Sequence, residues 1–438
     1  MKIQAVKGTR DFYPPQMVVR NFIIDGWKAA SLRNGFEEYD GPIFEYLKMF
    51  QIKSGDEIAE QLFNFTDRGG RALAIRPEIT PTLARMVNQK ISALPRPIKW
   101  FSVPRLCRAE RPQKGRLREF FQWNIDIIGV DDILADAEII FTTIDYLRSL
   151  GLTPKNIKAK ISSRKLLAAF LINIGITDKD LESLYPVLDK KARLPAEAFD
   201  EMLAKVVTDA KTAAMVKAFM EIDKPSNITS KLLRLINVSD EAAEAEKELE
   251  DLLELLESMG IGDYCEFDPG IVRGLAYYTG IVFEVHDIVG EFRAVCGGGR
   301  FDNLLKDFGG PSIPATGMGM GDCVLEILLR EKGLLKNKPS TRSLDYFVAY
   351  ADKALLTEAI KITANLRKAG LATDFSYKAG SLKKQLKEAS LANSTRCIIV
   401  GREYENGELV VKDMATGKQE TILEDKFWAE LENRKGAL

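Results

Sequence analysis

"RAERPQKGRLREFFQWNIDIIG", Arg108 to Gly129, sets five basic residues in its first eleven positions and ends in an aromatic-rich run that alternates apolar and polar side chains. Successive side chains of a strand point to opposite faces, so Gln122, Asn124 and Asp126 share one face while Trp123, Ile125 and Ile127 take the other. The apolar row predicts a sheet packed on a core, and the polar row predicts a cleft on the far side. A second strand, Lys99–Arg108, precedes it, so the two strands bracket a long basic loop with Arg108 as the last residue of the first. Taken alone, such a loop also fits a solvated hairpin tip. Beside a polar sheet face it predicts a phosphate-bearing substrate, because the arginine fork matches two phosphate oxygens and phosphoryl transfer rests on positioning and charge stabilisation.

The rest of the chain narrows the chemistry. With 438 residues, 46% of them hydrophobic, it is long enough for more than one core. Its net charge of -1 and pI of about 6.2 suit sequence-independent nucleic-acid binding poorly, and DNA is not expected as a partner. The opening "MKIQAVKGTRDFYP" has no apolar signal region, and no run approaches the ~20 apolar residues of a membrane span, so no membrane partner and a cytoplasmic home are expected. Cys107, Cys265, Cys296, Cys323 and Cys397 form no C-x-x-C pair, which argues against a disulfide framework or structural zinc. The single histidine, His286, lies in "GIVFEVH" on the same strand face as Val282 and Glu284, and reads as an imidazole satisfied on a sheet. Chemistry must then run on arginines, carboxylates and a bound metal. No G-x-x-x-x-G-K-[ST] pattern occurs, and "GGGRFDNLL" and "GMGMG" lack the surroundings of a dinucleotide site, so arginines are expected to hold the phosphates.

Helical spacing predicts a helix over Met17–Arg33 with Asn34-Gly35 as its stop. "FNFTDRGGRALAIRPE" predicts a hairpin, and Thr80-Pro81 an N-cap and first-turn proline of a helix through Leu83 and Val87. Helix follows helix from about Ser163 to Glu257, then strands return; "ATGMGMGDCVLEILL" starts as a glycine-dense turn or strand and ends as a helix. From about Leu344 strands and helices alternate as in a small α/β domain, with "LLKNKPSTR" as a linker. The expected fold is mixed α/β: an α+β catalytic domain over residues 1–338, interrupted by a helical insertion at about 165–258, and an α/β domain over 339–438.

These residues resemble class II aminoacyl-tRNA synthetases, and among them the histidyl-tRNA synthetase family. "KGTRDFYP" is similar to its N-terminal signature, "GFEEYDGPIFE" to its dimer-interface motif 1, "RAERPQKGRLREFFQ" to its motif 2, and "RGLAYYTGIVFE" to a signature specific to the histidine enzymes. The resemblance implies an antiparallel sheet flanked by helices, a C-terminal anticodon-binding domain, a homodimer, and a ligase that uses ATP and Mg²⁺ to join L-histidine to tRNA-His. It also implies roles. Arg108 holds the α-phosphate opposite Arg273, the two forming the catalytic pair; Glu110 and the Phe120 ring bind adenine, and Arg116 reaches the outer phosphates. Arg111 and Gln113 meet the tRNA acceptor end. Glu78 takes the histidine ammonium with Ile79, Thr80 and Gln122 beside it, Asp126 accepts from the imidazole, and Tyr277 and Tyr278 offer hydroxyl groups. No direct metal ligand is implied, with Asp322 as an indirect Mg²⁺ contact.

The chain departs from the family pattern at four positions. Asp126 stands where many relatives have Glu, Phe301 where Tyr is common, Ala276 where many have Asp, and Val324 where motif 3 usually carries an arginine for the γ-phosphate and adenine. The last departure also suits a non-charging paralogue that serves as regulatory subunit of ATP phosphoribosyltransferase. Such a paralogue normally lacks the C-terminal α/β domain and loses the arginine and histidine-binding positions, which are present here.

Overall fold

The computed structural model describes residues 3–52, 62–191, 194–222, 239–272, 278–289, 293–335, 343–378 and 380–435. The chain divides into two compact units, Met1–Phe12 with Val19–Asn337, and Tyr13–Val18 with Lys338–Leu438.

The strands of the larger unit are β1 (Glu37–Glu38), β2 (Phe44–Tyr46), β3 (Asn64–Thr66), β4 (Ala72–Ile75), β5 (Ile98–Ser102), β6 (Arg105–Cys107), β7 (Glu119–Ile128), β8 (Ile157–Ser163), β9 (Cys265–Phe267), β10 (Ile281–Asp287), β11 (Cys296–Arg300) and β12 (Ala315–Gly321). Nine of them build one sheet in the order β1-β5-β7-β12-β11-β10-β8-β9, with β6 also on β7. The five pairings from β5 through to β8 are antiparallel, and the outermost pairings, β1 with β5 and β8 with β9, are parallel. β2, β4 and β3 form a separate small sheet, in which Asp67 closes the β3–β4 turn by accepting from the backbone N–H groups of Gly69 and Arg71.

Alternation along β7 sorts its residues as its sequence predicts. Trp123, Ile125 and Ile127 join Phe283, Val285, Met318 and Met320 in one apolar core, covered by the helices Ile133–Ser149 and Asp322–Glu331. Each fully buried side chain of this size contributes about 1.5–3 kcal/mol. The first helix, Pro14–Arg33, lies on the same core: Trp27 stacks on Trp123 at 6.4 Å, and the Trp123 indole N–H donates to Ser31 Oγ at 2.8 Å. It begins three residues before the expected Met17, since a proline costs nothing in a first turn, and it stops at Gly35, whose φ of +77° suits glycine.

Two expectations need correction. The strand expected over Lys99–Arg108 is two short strands, broken at Val103-Pro104 where proline has no N–H to give the ladder, and Arg108 lies just past β6. Thr80 is not an N-cap: the helix Thr80–Lys90 already includes it, Ile79 occupies the cap position, and no side chain caps the end. The proline in the first turn makes that omission less costly, because it removes one N–H that would otherwise need a partner.

Five helices, Arg164–Asn173, Asp178–Leu188, Ala196–Val206, Ala210–Phe219 and Asp240–Ser258, follow β8, and Phe170 stacks on Phe219 at 4.4 Å to tie the first to the fourth. In the smaller unit, β13 (Leu344–Tyr350) pairs in parallel with β14 (Thr373–Phe375) and β15 (Ser394–Val400), and antiparallel β16 (Glu408–Asp413) and β17 (Gln419–Leu423) extend the sheet. Gln385 pins the helix Leu382–Leu391 there: its buried amide donates to Tyr350 O and Gly380 O and accepts from Tyr350 N. Lys383, Lys384 and Lys387 are left exposed on the same helix.

Candidate active site

The cleft face of the large sheet is floored by glycine. Gly317, Gly319 and Gly321 of β12 pair with Asp126, Asn124 and Gln122, and Gly299 and Gly297 of β11 pair in turn with Gly317 and Gly319. Directly paired residues share a face, so five glycines lie beside the polar row. Side chains of β7 lean over them: a Cβ on Gly317 would lie 2.2 Å from Asp126 Oδ1, and one on Gly319 would lie 2.8 Å from Gln122 Nε2. Tyr278 covers the floor from the other side, its ring 3.0 Å from where a Gly299 Cβ would stand. "GMGMG", expected as a turn or strand, and "CGGGR", expected in a strand, carry a further signal: in β12 glycine at every second position clears one face while Met318 and Met320 fill the core behind it.

Charge is arranged at one end of this floor. Arg108 donates from Nε to Pro77 O at 3.0 Å, and its guanidinium stands 5.1 Å from the Phe120 ring centroid. Burial pushes the Glu78 carboxyl above its usual range, and the neighbouring Arg108 pulls it back. The basic loop folds on itself: Gln113 and Arg116 form a backbone bridge, Arg116 pairs with the Glu110 carboxylate, and Arg118 donates to Glu110 O at 3.2 Å. Arg111 and Gln113 are exposed at the outer end, where Arg293 reaches Gln113 Oε1 at 3.2 Å. Gly115, with φ of +77°, packs on Val324: a Cβ there would stand 3.0 Å from Val324 Cγ2.

A pocket open to solvent brings Arg108, Arg116, Phe120 and Gln122 together over Gly297, Gly319 and Gly321, with Cys323 and Val324 at one side. Glu78, Ile79, Thr80, Asp126 and Tyr278 do not line it. Asp126 and Tyr278 sit farther along the sheet face, and Ile79 and Tyr278 pack in one apolar cluster with Val282 and Phe301. Asp126 is 3% exposed, and burial alone pushes its carboxyl up to about 8. Arg273, Ala276 and Tyr277 lie outside the described residues.

The buried Asp322 carboxylate accepts from Phe121 N at 3.0 Å and from Arg10 Nη2 at 2.6 Å. Among the described residues no group of three His, Cys, Asp or Glu side chains could hold a metal ion. His286 accepts the sheet role read from its strand, with Nε2 2.9 Å from Glu284 Oε2.

A family model described as histidyl-tRNA synthetase matches residues 8–321, and one described as anticodon binding domain matches residues 345–434. The chain belongs to the histidyl-tRNA synthetase family. It is 37% identical over 418 residues to the chloroplastic/mitochondrial histidine--tRNA ligase of Arabidopsis thaliana, covering 95% of this chain and 84% of that one. It is 36% identical over 428 residues to the histidine--tRNA ligase of Opitutus terrae, covering 97% of both. The crystal structure of histidyl-tRNA synthetase from Nostoc sp. PCC 7120 shares the fold, with a TM-score of 0.80 at 22% identity over 99% of this chain and 100% of that one. So does a protein from Bacillus halodurans C described as an ATP phosphoribosyltransferase regulatory subunit/histidyl-tRNA synthetase, with a TM-score of 0.74 at 24% identity over 91% and 98% of the two chains. No described helix is long and apolar enough to cross a membrane.

Proposed function

We propose that this protein is a histidine--tRNA ligase that activates L-histidine with ATP and then transfers the histidyl group to the terminal adenosine of tRNA-His. The observation that carries the reading is the glycine floor with Arg108 and Glu78 at one end and Asp126 along it. An extended ligand on that floor would meet Arg108 with its phosphates, Glu78 with its ammonium and the Asp126 carboxyl with its imidazole.

In the first step an oxygen of the histidine carboxylate attacks the α-phosphorus; the new P–O bond forms as the bond to the β-phosphate breaks, and pyrophosphate leaves with the electron pair. Arg108 is preorganised for the charge that grows on the phosphoryl oxygens, its Nε already fixed on Pro77 O. Arg273 would stand opposite it. Phe120 and Glu110 would hold adenine, and Arg116 would exchange Glu110 for the outer phosphates, whose Mg²⁺ arrives with ATP. Glu78 would take the ammonium beside Ile79, Thr80 and Gln122, and Asp126 with Tyr277 and Tyr278 the imidazole. In the second step a ribose hydroxyl of the tRNA attacks the histidyl carbonyl and AMP leaves. The exposure of Arg111 and Gln113 supports a contact with the incoming acceptor strand.

The same reading divides the chain into a catalytic domain over 1–338 with an insertion at about 165–258 and an anticodon-binding domain over 339–438. It makes the protein cytoplasmic and a homodimer. Ile43, Phe44, Tyr46 and Phe65 support the dimer, since they expose 60%, 53%, 58% and 42% of their surface on the β2-β4-β3 sheet, a clustering that marks protein interfaces. Histidine-dependent exchange of pyrophosphate into ATP, followed by charging of tRNA-His, tests the function. A folded protein that exchanges no pyrophosphate with histidine present would sink it in favour of the regulatory paralogue.

A further inference from the structure

Two buried polar atoms near the Asp126 end of the floor lack hydrogen-bond partners among the described residues: Asp126 Oδ2 and the Tyr39 hydroxyl. Buried polar groups are nearly always paired; other unpaired atoms among the described residues, such as Trp27 Nε1 and Tyr146 Oη, sit in the apolar core, whereas these two lie beside the proposed histidine site. Their neighbourhood is fixed by the sheet. Tyr39 follows β1, its N–H donates to Phe101 O at 2.9 Å, and its ring lies against Trp100 with centroids 5.6 Å apart. Trp100 is the residue of β5 paired with Asp126 on β7, so the phenol and the carboxylate stand over the same stretch of sheet. Tyr39 also packs in the apolar cluster of Ile79, Tyr278 and Val282. The two groups do not bond each other; burial raises the Tyr39 pKa and the Asp126 charge adds to it, so the two lie within electrostatic reach.

We infer that Tyr39 is a further histidine-recognition residue, its hydroxyl donating to one imidazole nitrogen while Asp126 Oδ2 accepts from the N–H of the other. A neutral imidazole needs one donor and one acceptor, and the phenol hydroxyl and the carboxyl oxygen supply one of each. Tyr278 already makes an interaction of its own, whereas Tyr39 Oη makes no hydrogen bond in the described structure. The inference rests on the proposed histidine substrate.

Tyr39→Phe removes only the hydroxyl. Calorimetry with L-histidine alone should show Kd raised about tenfold, and pyrophosphate exchange should show a matching rise in KM for histidine with KM for ATP unchanged. The melting temperature of the ligand-free variant should not fall, because an unpartnered hydroxyl is lost. With ring-¹⁵N histidine bound, the NMR shift of the nitrogen that accepts from a hydroxyl in the parental protein should move toward that of a free acceptor in the variant. Unchanged histidine affinity, an equal loss of ATP affinity, or a lower melting temperature would each overturn the role. A parental protein that binds no histidine would instead sink the proposed function, so the two failures are told apart.

Discussion

Asp126 carries its carboxyl where burial alone lifts the pKa to about 8, against about 4 in an unfolded chain. Between those values the folded protein holds a proton that the unfolded chain releases, so stability falls as pH rises through the window and levels off above it. Asp126→Asn removes this dependence. The variant should gain on the parent by about 3–4 kcal/mol between pH 5 and pH 8, read as the difference of their urea-unfolding free energies; a parallel pair of pH profiles would show that the carboxyl is solvated. Asp136, pushed up to about 6, and Glu78, also raised, titrate in both proteins and cancel from the difference. The proposed role of Glu78 is to face the histidine ammonium. Glu78→Gln should raise KM for histidine at least tenfold and slow activation, whereas unchanged kinetics would remove it from the site.

Among the elements, β12 tolerates little. A methyl on Gly317 would meet Asp126 Oδ1 at 2.2 Å and Ile125 O at 2.9 Å, and the second of these is backbone that cannot swing away. Gly317→Ala should cost about 1–3 kcal/mol in unfolding experiments and abolish histidine-dependent exchange, and a normal variant would mean the strand can shift. The basic loop makes the opposite expectation. Replacing both Arg111 and Gln113 with Ala should cut tRNA charging about tenfold and leave pyrophosphate exchange within about twofold; equal losses would move them to the ATP site. What could be read of these elements in advance followed from local periodicity. The row Gln122, Asn124, Asp126 needed only the two-residue repeat of a strand. The glycine floor was legible only in part: the alternation with Met318 and Met320 shows the period of a strand, but the partners that complete the floor lie on strands far apart in sequence. Asp322 turning to Arg10 was hidden because that pairing is long-range, and Arg116 meeting Glu110 because several charges of one loop compete for a partner.

For the whole molecule, the exposed aromatic patch on β2-β4-β3 makes the clearest demand. Phe44→Asp combined with Tyr46→Asp should convert a dimer into a monomer in sedimentation experiments while the core stays folded, since both side chains are exposed and outside the core. A parental protein that sediments as a monomer would remove the homodimer. The glycine floor has a further consequence at this scale. A surface of bare backbone has no rotamers to lose when a ligand lies on it, so the side-chain entropy that binding usually forfeits, about 0.5–1.5 kcal/mol for each immobilised chain, is absent across the middle of the sheet. Affinity there is set by the ordering of the few side chains at the margins, and calorimetry should find histidine binding less opposed by entropy than its count of hydrogen bonds suggests.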